Sequence, residues 1–425
     1  MSRRRGWCPS LYDPMATGDG LLVRVKPPGA RLSAAAARAL AAAATRFGNG
    51  AVDLTNRGNL QVRGLSPGGV DAFAAAMVAA GLAHPDPAVE RRRAVIAPPL
   101  AGDDPGVCAD AGPLAAALEA VLAHDPDLAH LPGKFCLAVD GGGVLGSARP
   151  GAASGADLVV RCDGARHWIT LDGVPGAAPC PPGETVARVR RVLLAAGRRR
   201  MREMVAHSGA AAVWDAAGLV PNAAGATTDT AAGAAVETAT DAVSAPFTPV
   251  GFHPYPGTEA GAFGLAPPFG AADAAGLAAL ADLADRFGAG VVRTAPWRAV
   301  FLGRVRARDV PALRDAATAA GLVADPADVR LRLVACAGAP GCASATVPAR
   351  ADAARLAARG ATPPGGGMVH VSGCAKGCAH PGPADAVLVG DAGHYALVRG
   401  GRAGDAPAWR GLTLEAAAAA LRGTV

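Results

Sequence analysis

The chain has 425 residues, a formal net charge of +6 and a composition that is 51% hydrophobic, rich in Ala, with only 4% aromatic residues. A chain this long sustains roughly two to four domains around substantial cores. Its only dense basic runs are Arg3–Arg5, Arg91–Arg93 and Arg198–Arg200, and the aromatics that base stacking needs are scarce. That argues against nucleic acid and leaves a small polyanionic ligand as the better match to the charge. No apolar stretch reaches the roughly 18 residues of a spanning helix, and the opening MSRRRGWCPS lacks the apolar run of a secretory signal. The expectation is a cytoplasmic protein with no membrane partner, whose thiols stay reduced and whose cysteine clusters serve metals or catalysis.

In chain order, Gly20–Lys26 reads as a strand stopped by Pro27 and Pro28. Ser33 caps a helix through Thr45, closed by Gly48 and Gly50. Strands follow around Ala51–Leu54 and Asn59–Arg63, and a further helix runs from Pro67 and Asp71 to near Gly81. The same β-α-β-β-α run recurs 240 positions later: Pro27 and Pro28 match Pro267 and Pro268, Leu40 matches Leu280, Arg46-Phe47-Gly48 matches Arg286-Phe287-Gly288, and Gly81-Leu82 matches Gly321-Leu322. A gapless repeat predicts two similar α/β units packed about a pseudo-dyad, with room for a large ligand at their interface.

Continuing the register places Ile96 opposite Cys336 and Gly102 opposite Cys342, so only the second half carries the cysteines. Leu131–Asp140, Ala156–Arg161 and Trp168–Leu171 read as strands, and Glu184–Met201 as a basic helix. The Ala/Thr/Gly-rich stretch from about Ser208 to Thr248 reads as a linker. Ala384–Arg399 gives two strands, and a last helix starts near Thr413. The expected organisation is a first half-domain over 1–90, a first α/β domain without a cluster over 91–205, a linker over 206–248, a second half-domain over 249–328 and a cluster-binding α/β domain over 329–425.

Four of the nine cysteines stand in two pairs, Cys336 and Cys342 as C-x5-C and Cys374 and Cys378 as C-x3-C. Each pair follows a short Val-rich strand, on Gly/Pro-rich loop where a cofactor can be held against a rigid sheet. Four thiolates suit an iron–sulfur cluster, and the small residues Ala337, Gly338, Gly341, Ala375 and Gly377 let backbone N–H groups approach its sulfides. A zinc site is the competing reading, although zinc ligands are usually spaced C-x2–4-C. Cys8, Cys108, Cys136, Cys162 and Cys180 show no partner spacing and read as structural. A second unusual stretch alternates Arg57, Asn59, Gln61 and Arg63, putting four polar groups on one strand face. Read alone it is a solvated sheet face; arginine forks are also the natural clamp for carboxylates, with Arg93 and Lys134 as further candidates.

C-x5-C followed by G-C-x3-C resembles the cluster motif of sulfite and nitrite reductases, and the duplicated half with TNRGNLQ resembles their ferredoxin-like half-domain. The resemblance spans nearly the whole chain. It implies an α/β (α+β) fold in which two pseudo-symmetric ferredoxin-like half-domains pack with two nitrite/sulfite reductase-type α/β domains. It also implies a 4Fe-4S cluster on Cys336, Cys342, Cys374 and Cys378, and a tetrapyrrole pocket in which Arg57 holds the place of the T-x-R-x-x-x-Q arginine, Arg93 that of a second anion-binding arginine and Lys134 that of the first lysine of LP-x-KFK. Where the reductase pattern has its second lysine, this chain has Cys136.

The opening CPSLYDPMATGDGLLVRVKPPG, with DLTNRGNLQVRG and SGCAKGCAHP, is most similar to the precorrin-3B synthase branch of that superfamily. That branch implies a monooxygenase of aerobic cobalamin biosynthesis that takes precorrin-3A, molecular oxygen and electrons from a donor, hydroxylating a meso carbon and closing a lactone. A mononuclear non-haem iron is implied as well, with His253, His370, His380 and His394 as ligands by residue type alone. Two other readings stand beside it: a siroheme-dependent sulfite or nitrite reductase in which Cys378 bridges cluster and haem, and a non-catalytic iron–sulfur, tetrapyrrole-binding module.

Overall fold

The computed structural model describes residues 8–146, 155–171, 176–221 and 247–423. Its centre is a pair of antiparallel sheets. The first orders Met15–Thr17, Gly20–Val25, Leu60–Leu65 and Ala51–Leu54, and its last strand is Ala271–Asp273 from the second half of the chain. The second orders Gly251–Pro254, Ala260–Leu265, Ala299–Arg306 and Val291–Ala295, and is completed by Arg31–Ser33 from the first half. The two halves thus exchange one short strand each, in equivalent register: Ala271 pairs with Asp53, and Arg31 with Arg293.

The exchanged strands lead straight into the helices that dominate the centre. Ser33 accepts a hydrogen bond from the Ala36 amide and starts Ala34–Phe47; Asp273 does the same for the Gly276 amide and starts Ala274–Phe287. Both helices are Ala-rich and sit in one core with Leu32, Leu40, Leu280, Val52 and Val292, small side chains allowing close approach. Helix, strand and turn bounds repeat at the 240-residue offset (Gly20–Val25 and Ala260–Leu265, Val70–Ala79 and Val310–Ala319), which is the expected pseudo-symmetry.

An α/β domain flanks each side. In one, Val95–Ile96, Leu137–Asp140 and Leu158–Cys162 are parallel and His167–Leu171 closes antiparallel. In the other, Leu333–Ala335, Val369–Ser372 and Ala384–Asp391 are parallel, followed antiparallel by His394–Gly401 and Trp409–Leu412. The parallel strands are Val/Leu/Ala-rich and mostly buried, as strands inside layered α/β structures are. Their carboxyl ends face the loops that carry the cysteines, the usual place for ligands in such sheets.

Three sequence expectations change. The single basic helix Glu184–Met201 is two: Gly197, at φ 59, ends Thr185–Ala196 and Met201–Ala216 starts afresh. That second helix occupies the beginning of the expected linker. Val213 and Trp214 are buried there, with Ala217 and Leu219 just beyond, a seam too sparse to show against an Ala-rich background. The rest of the expected linker, 222–246, lies outside the described residues, as does the Arg3–Arg5 run. Finally, Arg57 and Asn59 lie on the turn before Leu60–Leu65 and not in the strand; Thr55 accepts from the Asn59 amide and Gly58 adopts φ 70, so the alternation assumed for four polar residues starts only at Gln61. Among the described residues no helix is long and apolar enough to cross a membrane.

Candidate functional site

Each cysteine loop is fixed by its own backbone. Cys336 follows Leu333–Ala335 and its amide donates to Val371 O; the Cys342 amide turns back to Gly338 O at 2.8 Å. Gly338 sits at φ 70, and a Cβ there would lie 2.2 Å from the Ala349 amide, so only glycine lets the loop pass the following helix. Cys374 follows Val369–Ser372; the Gly373 amide donates to Cys336 Sγ at 3.2 Å, and Ser372 Oγ donates to Cys374 O. Lys376 Nζ reaches Ser344 Oγ at 2.9 Å, tying the two loops together.

The four cysteines line one cavity of about 450 Å³ at the junction of the halves. None is in a disulfide. Burial pushes the Cys378 thiol up, and Cys374, Cys336 and Cys342 push it further, so the four sulfurs act on one another. The opposite wall comes from the first half: Thr17, Arg24, Asp53, Asn56, Gln61 and Arg63 among others, with Arg298 and Arg350 from the second.

The turn Gly18–Gly20 is what presses the halves together. The Gly18 amide donates to Gly341 O, and a Cβ on Gly18 would fall 2.1 Å from Pro340 O. Arg63 Nε donates to Asp19 Oδ2 at 3.0 Å, and its Nη2 donates both to Asp19 and to Gly341 O. Arg63 thereby clamps the hairpin to the cysteine loop. The Asp19 carboxyl, which burial alone would push up, is held below its ordinary range by Arg63 and by the Thr17 hydroxyl.

Three further cations of the cavity wall, Arg24, Arg298 and Arg350, were missed by sequence reasoning. Arg350 pairs with Asp53 at 2.8 Å, and its Nε is buried without a hydrogen-bond partner. Arg24 also has a buried, unpartnered Nε. Arg298 donates to Ala379 O, next to Cys378, and follows Trp297 in a pair of left-handed residues at φ 56 and φ 70. Two bulky residues in that region cost of order 1–3 kcal/mol each, which is tolerated where a site requires it. Burial pulls the Arg298 guanidinium down. The available signals were modest: Arg24 interrupts an apolar strand, and Arg350 follows the C-x5-C loop directly.

Of the residues expected to bind a tetrapyrrole, Gln61 and Arg63 line the cavity. Arg57 adjoins cavity-lining Asn56, but its guanidinium donates to Lys134 O and Gly155 O at 3.3 and 3.2 Å, bringing Arg57, Lys134 and Cys136 into one neighbourhood. Asn59 stays on the turn. Arg93 is buried in a structural network, donating to Glu90, Glu119 and Lys26 O. Among the histidines, His370 is fully buried behind the second cysteine loop, both ring nitrogens without partners; burial, then His380 and Arg298, hold its pKa at about 4. His380 stacks edge-on to it at 5.9 Å, His253 Nε2 contacts Pro249 O, and His394 Nδ1 contacts Ala392 O.

Against known proteins, residues 13–80 and 255–320 each match the "Nitrite/Sulfite reductase ferredoxin-like half domain". A precorrin-3B synthase of Sinorhizobium sp is 33% identical over 96% of this chain and 85% of its own. A ferredoxin–nitrite reductase of Synechococcus elongatus is 26% identical over 91% of this chain and 79% of its own. The solved structure of the Mycobacterium tuberculosis NirA protein superposes with a TM-score of 0.70 at 21% identity, covering 93% of this chain and 78% of that one, a likeness of fold. With the duplicated half-domain, the exchanged strands and this extent of identity, the chain belongs to the precorrin-3B synthase family of the nitrite/sulfite reductase superfamily.

Proposed function

We propose that this chain is an oxygen-dependent monooxygenase that converts precorrin-3A to precorrin-3B, hydroxylating a meso carbon and closing a lactone from a ring acetate. The observation that carries the reading is one cavity with four cysteines on one wall and the guanidinium groups of Arg24, Arg298 and Arg350 around it. The substrate is a polycarboxylate, and arginine forks with unpartnered N–H groups in a half-buried pocket are suited to carboxylates. The relative at 33% identity bears the synthase name.

The residues present fit a 4Fe-4S cluster: four free thiols on facing loops, with the Gly373 amide already aimed at one sulfur. Cys336, Cys342, Cys374 and Cys378 would hold it, and when bound it supplies electrons one at a time to the neighbouring ligand. The chain's own part is positional. Arg63 and Asp19 keep the first half's hairpin on the cysteine loop, Gln61 and Arg24 present polar groups to the cavity, and Arg298 and Arg350 hold carboxylates. Cys136, where reductases have a lysine, removes a cation that those enzymes direct at an oxyanion, which favours oxygenation over sulfite or nitrite reduction. The four histidines expected to ligate a mononuclear non-haem iron do not come together: His253 and His394 contact backbone carbonyls, and the His370–His380 pair has no carboxylate or thiol placed with it as a ligand set among the described residues. No step is assigned to such an iron.

The test is anaerobic purification with iron and sulfide counts, then incubation with precorrin-3A and a reduced electron donor, which supplies the two electrons that take the second oxygen atom to water, with and without oxygen. Product heavier by one oxygen atom, formed only under oxygen, is expected. Siroheme absorption with sulfite- or nitrite-dependent oxidation of a reduced donor would overturn the reading, and tight precorrin binding without turnover would make the chain a binding module.

A further inference from the structure

The first α/β domain, which has no cysteine pair, gathers a different donor set. Asp110, Cys162 and His167 each point one ligand atom to a common place, all within 4.8 Å of one another. Cys162 ends Leu158–Cys162 and His167 begins the antiparallel neighbour His167–Leu171, so the two face each other across a hairpin. Asp110 stands before the helix Ala111–His124 yet makes no cap hydrogen bond; its carboxylate faces His167 Nε2 at 2.7 Å and Cys108 Sγ at 2.5 Å. None of these residues lines the large cavity.

Both ring nitrogens of His167 have a polar partner. Thr185 Oγ lies 2.7 Å from His167 Nδ1 and 3.4 Å from Pro181 O, and fixes the ring from the side away from Asp110. The 2.7 Å between Nε2 and the Asp110 carboxylate is hydrogen-bond spacing, and an ion held by both, at roughly 2.0–2.2 Å from each, replaces the proton between them as the two groups part by about half an ångström. With Cys108 and Cys162, two thiols stand beside the same carboxylate and imidazole, a donor set suited to a metal.

We propose that Asp110, Cys162 and His167, joined by Cys108, bind a single divalent ion of the zinc class. Thiolate, imidazole and carboxylate donors together match that borderline ion, and Thr185 orients the imidazole as an outer partner. Cys162 and His167 are buried, at 4% and 1% exposure, and Asp110 and Cys108 are half-buried at the mouth, so the ion enters from the Asp110 side and clips the Cys162–His167 hairpin to the start of the Ala111–His124 helix. Binding releases the thiol protons to solvent, so affinity rises with pH.

The experiment incubates the full, cluster-loaded chain with Zn²⁺, removes loose metal, and counts zinc, iron and sulfide per chain. The parent should retain one zinc. Cys162→Ser and Asp110→Asn, the latter near-isosteric and a control for folding, should each retain at least about tenfold less with iron and sulfide unchanged. Thr185→Val, which leaves every ligand in place, should weaken zinc roughly 10–100-fold. Iron beyond the cluster's complement that these same variants lose supports the site with ferrous ion as occupant. A parent that retains no zinc or extra iron overturns the proposal, leaving Asp110 and His167 as an ion pair. So does zinc retained equally by the variants, or zinc gained only as cluster iron is lost.

Discussion

Two cavities occupy equivalent places in the duplicated molecule, and only one is large. The cavity on the cysteine side measures about 450 Å³. Its twin, between Ile96–Leu100, Ala138–Asp140 and Trp297, measures about 30 Å³. The 240-residue register explains the difference residue by residue: Gln61 of the large cavity corresponds to Phe301, Arg24 to Gly264, Arg57 to Trp297, and Cys336 to Ile96. In the small one Phe301, Trp297, Tyr255 and Leu100 form a hydrophobic cluster. The duplicated scaffold therefore offers two sites, and side-chain replacement has filled one with aromatic packing and lined the other with thiols and cations. Each wall of the retained site comes from a different repeat.

The largest effect expected of this asymmetry is all-or-none. Cys374→Ser should abolish cluster iron and sulfide, whereas Cys136→Ala, in the twin domain, should leave both at parental level; metal and sulfide counts decide. Phe301→Ala should next cost about 3–5 kcal/mol in denaturant unfolding, since it empties a fully buried position, yet keep the cluster. Gln61→Ala should cost far less, and equal costs would mean that both cavities are packed alike.

Ligand binding gives the third contrast. Arg350→Ala should weaken tetrapyrrole binding roughly 10–100-fold, in line with the 1.5–3 kcal/mol of a hydrogen bond to a charged group, with cluster absorption unchanged. A pH effect follows from Asp19. Its folded pKa is depressed, so its contribution to stability is present above the ordinary carboxyl pKa of about 4 and lost as pH falls through the lower folded value. Asp19→Asn should flatten the acid limb of a stability profile, and an unchanged limb would refute the clamp. The smallest effect belongs to Arg57→Ala: loss of two bonds to carbonyls, about 1 kcal/mol, with less influence on tetrapyrrole affinity than Arg350→Ala. An equal loss of affinity would mean that Arg57 leaves those carbonyls when ligand binds.

Much of this was legible in the sequence because the repeat is gapless. One offset fixed the elements, the pseudo-dyad and the half in which the cysteines stand. The exchange of strands was not legible: Arg31–Ser33 and Ala271–Asp273 are three residues long, and nothing in so short a run states which sheet it joins. Nor was the direction of Arg57, because a turn and a strand place the same residue differently and Gly58 decides between them only once folded. Arg24, Arg298 and Arg350 come from distant, unrelated stretches, and Asp110 and His167 are far apart in sequence; such groups become neighbours only once the sheets and their connecting loops pack. The Asn59 expectation rested on strand alternation and that for Arg93 on motif position, and Arg93 is absorbed by Glu90 and Glu119, acidic partners that the motif does not include.

The exchanged strands also bear on how the chain can be divided. Cutting between the repeats gives two fragments, each with a sheet one strand short and the missing strand attached to the other fragment. An exposed sheet edge invites pairing. Separately produced fragments should thus complement one another, and two copies of the intact chain at high concentration have a ready route to trading halves, with a complete cavity in each resulting lobe.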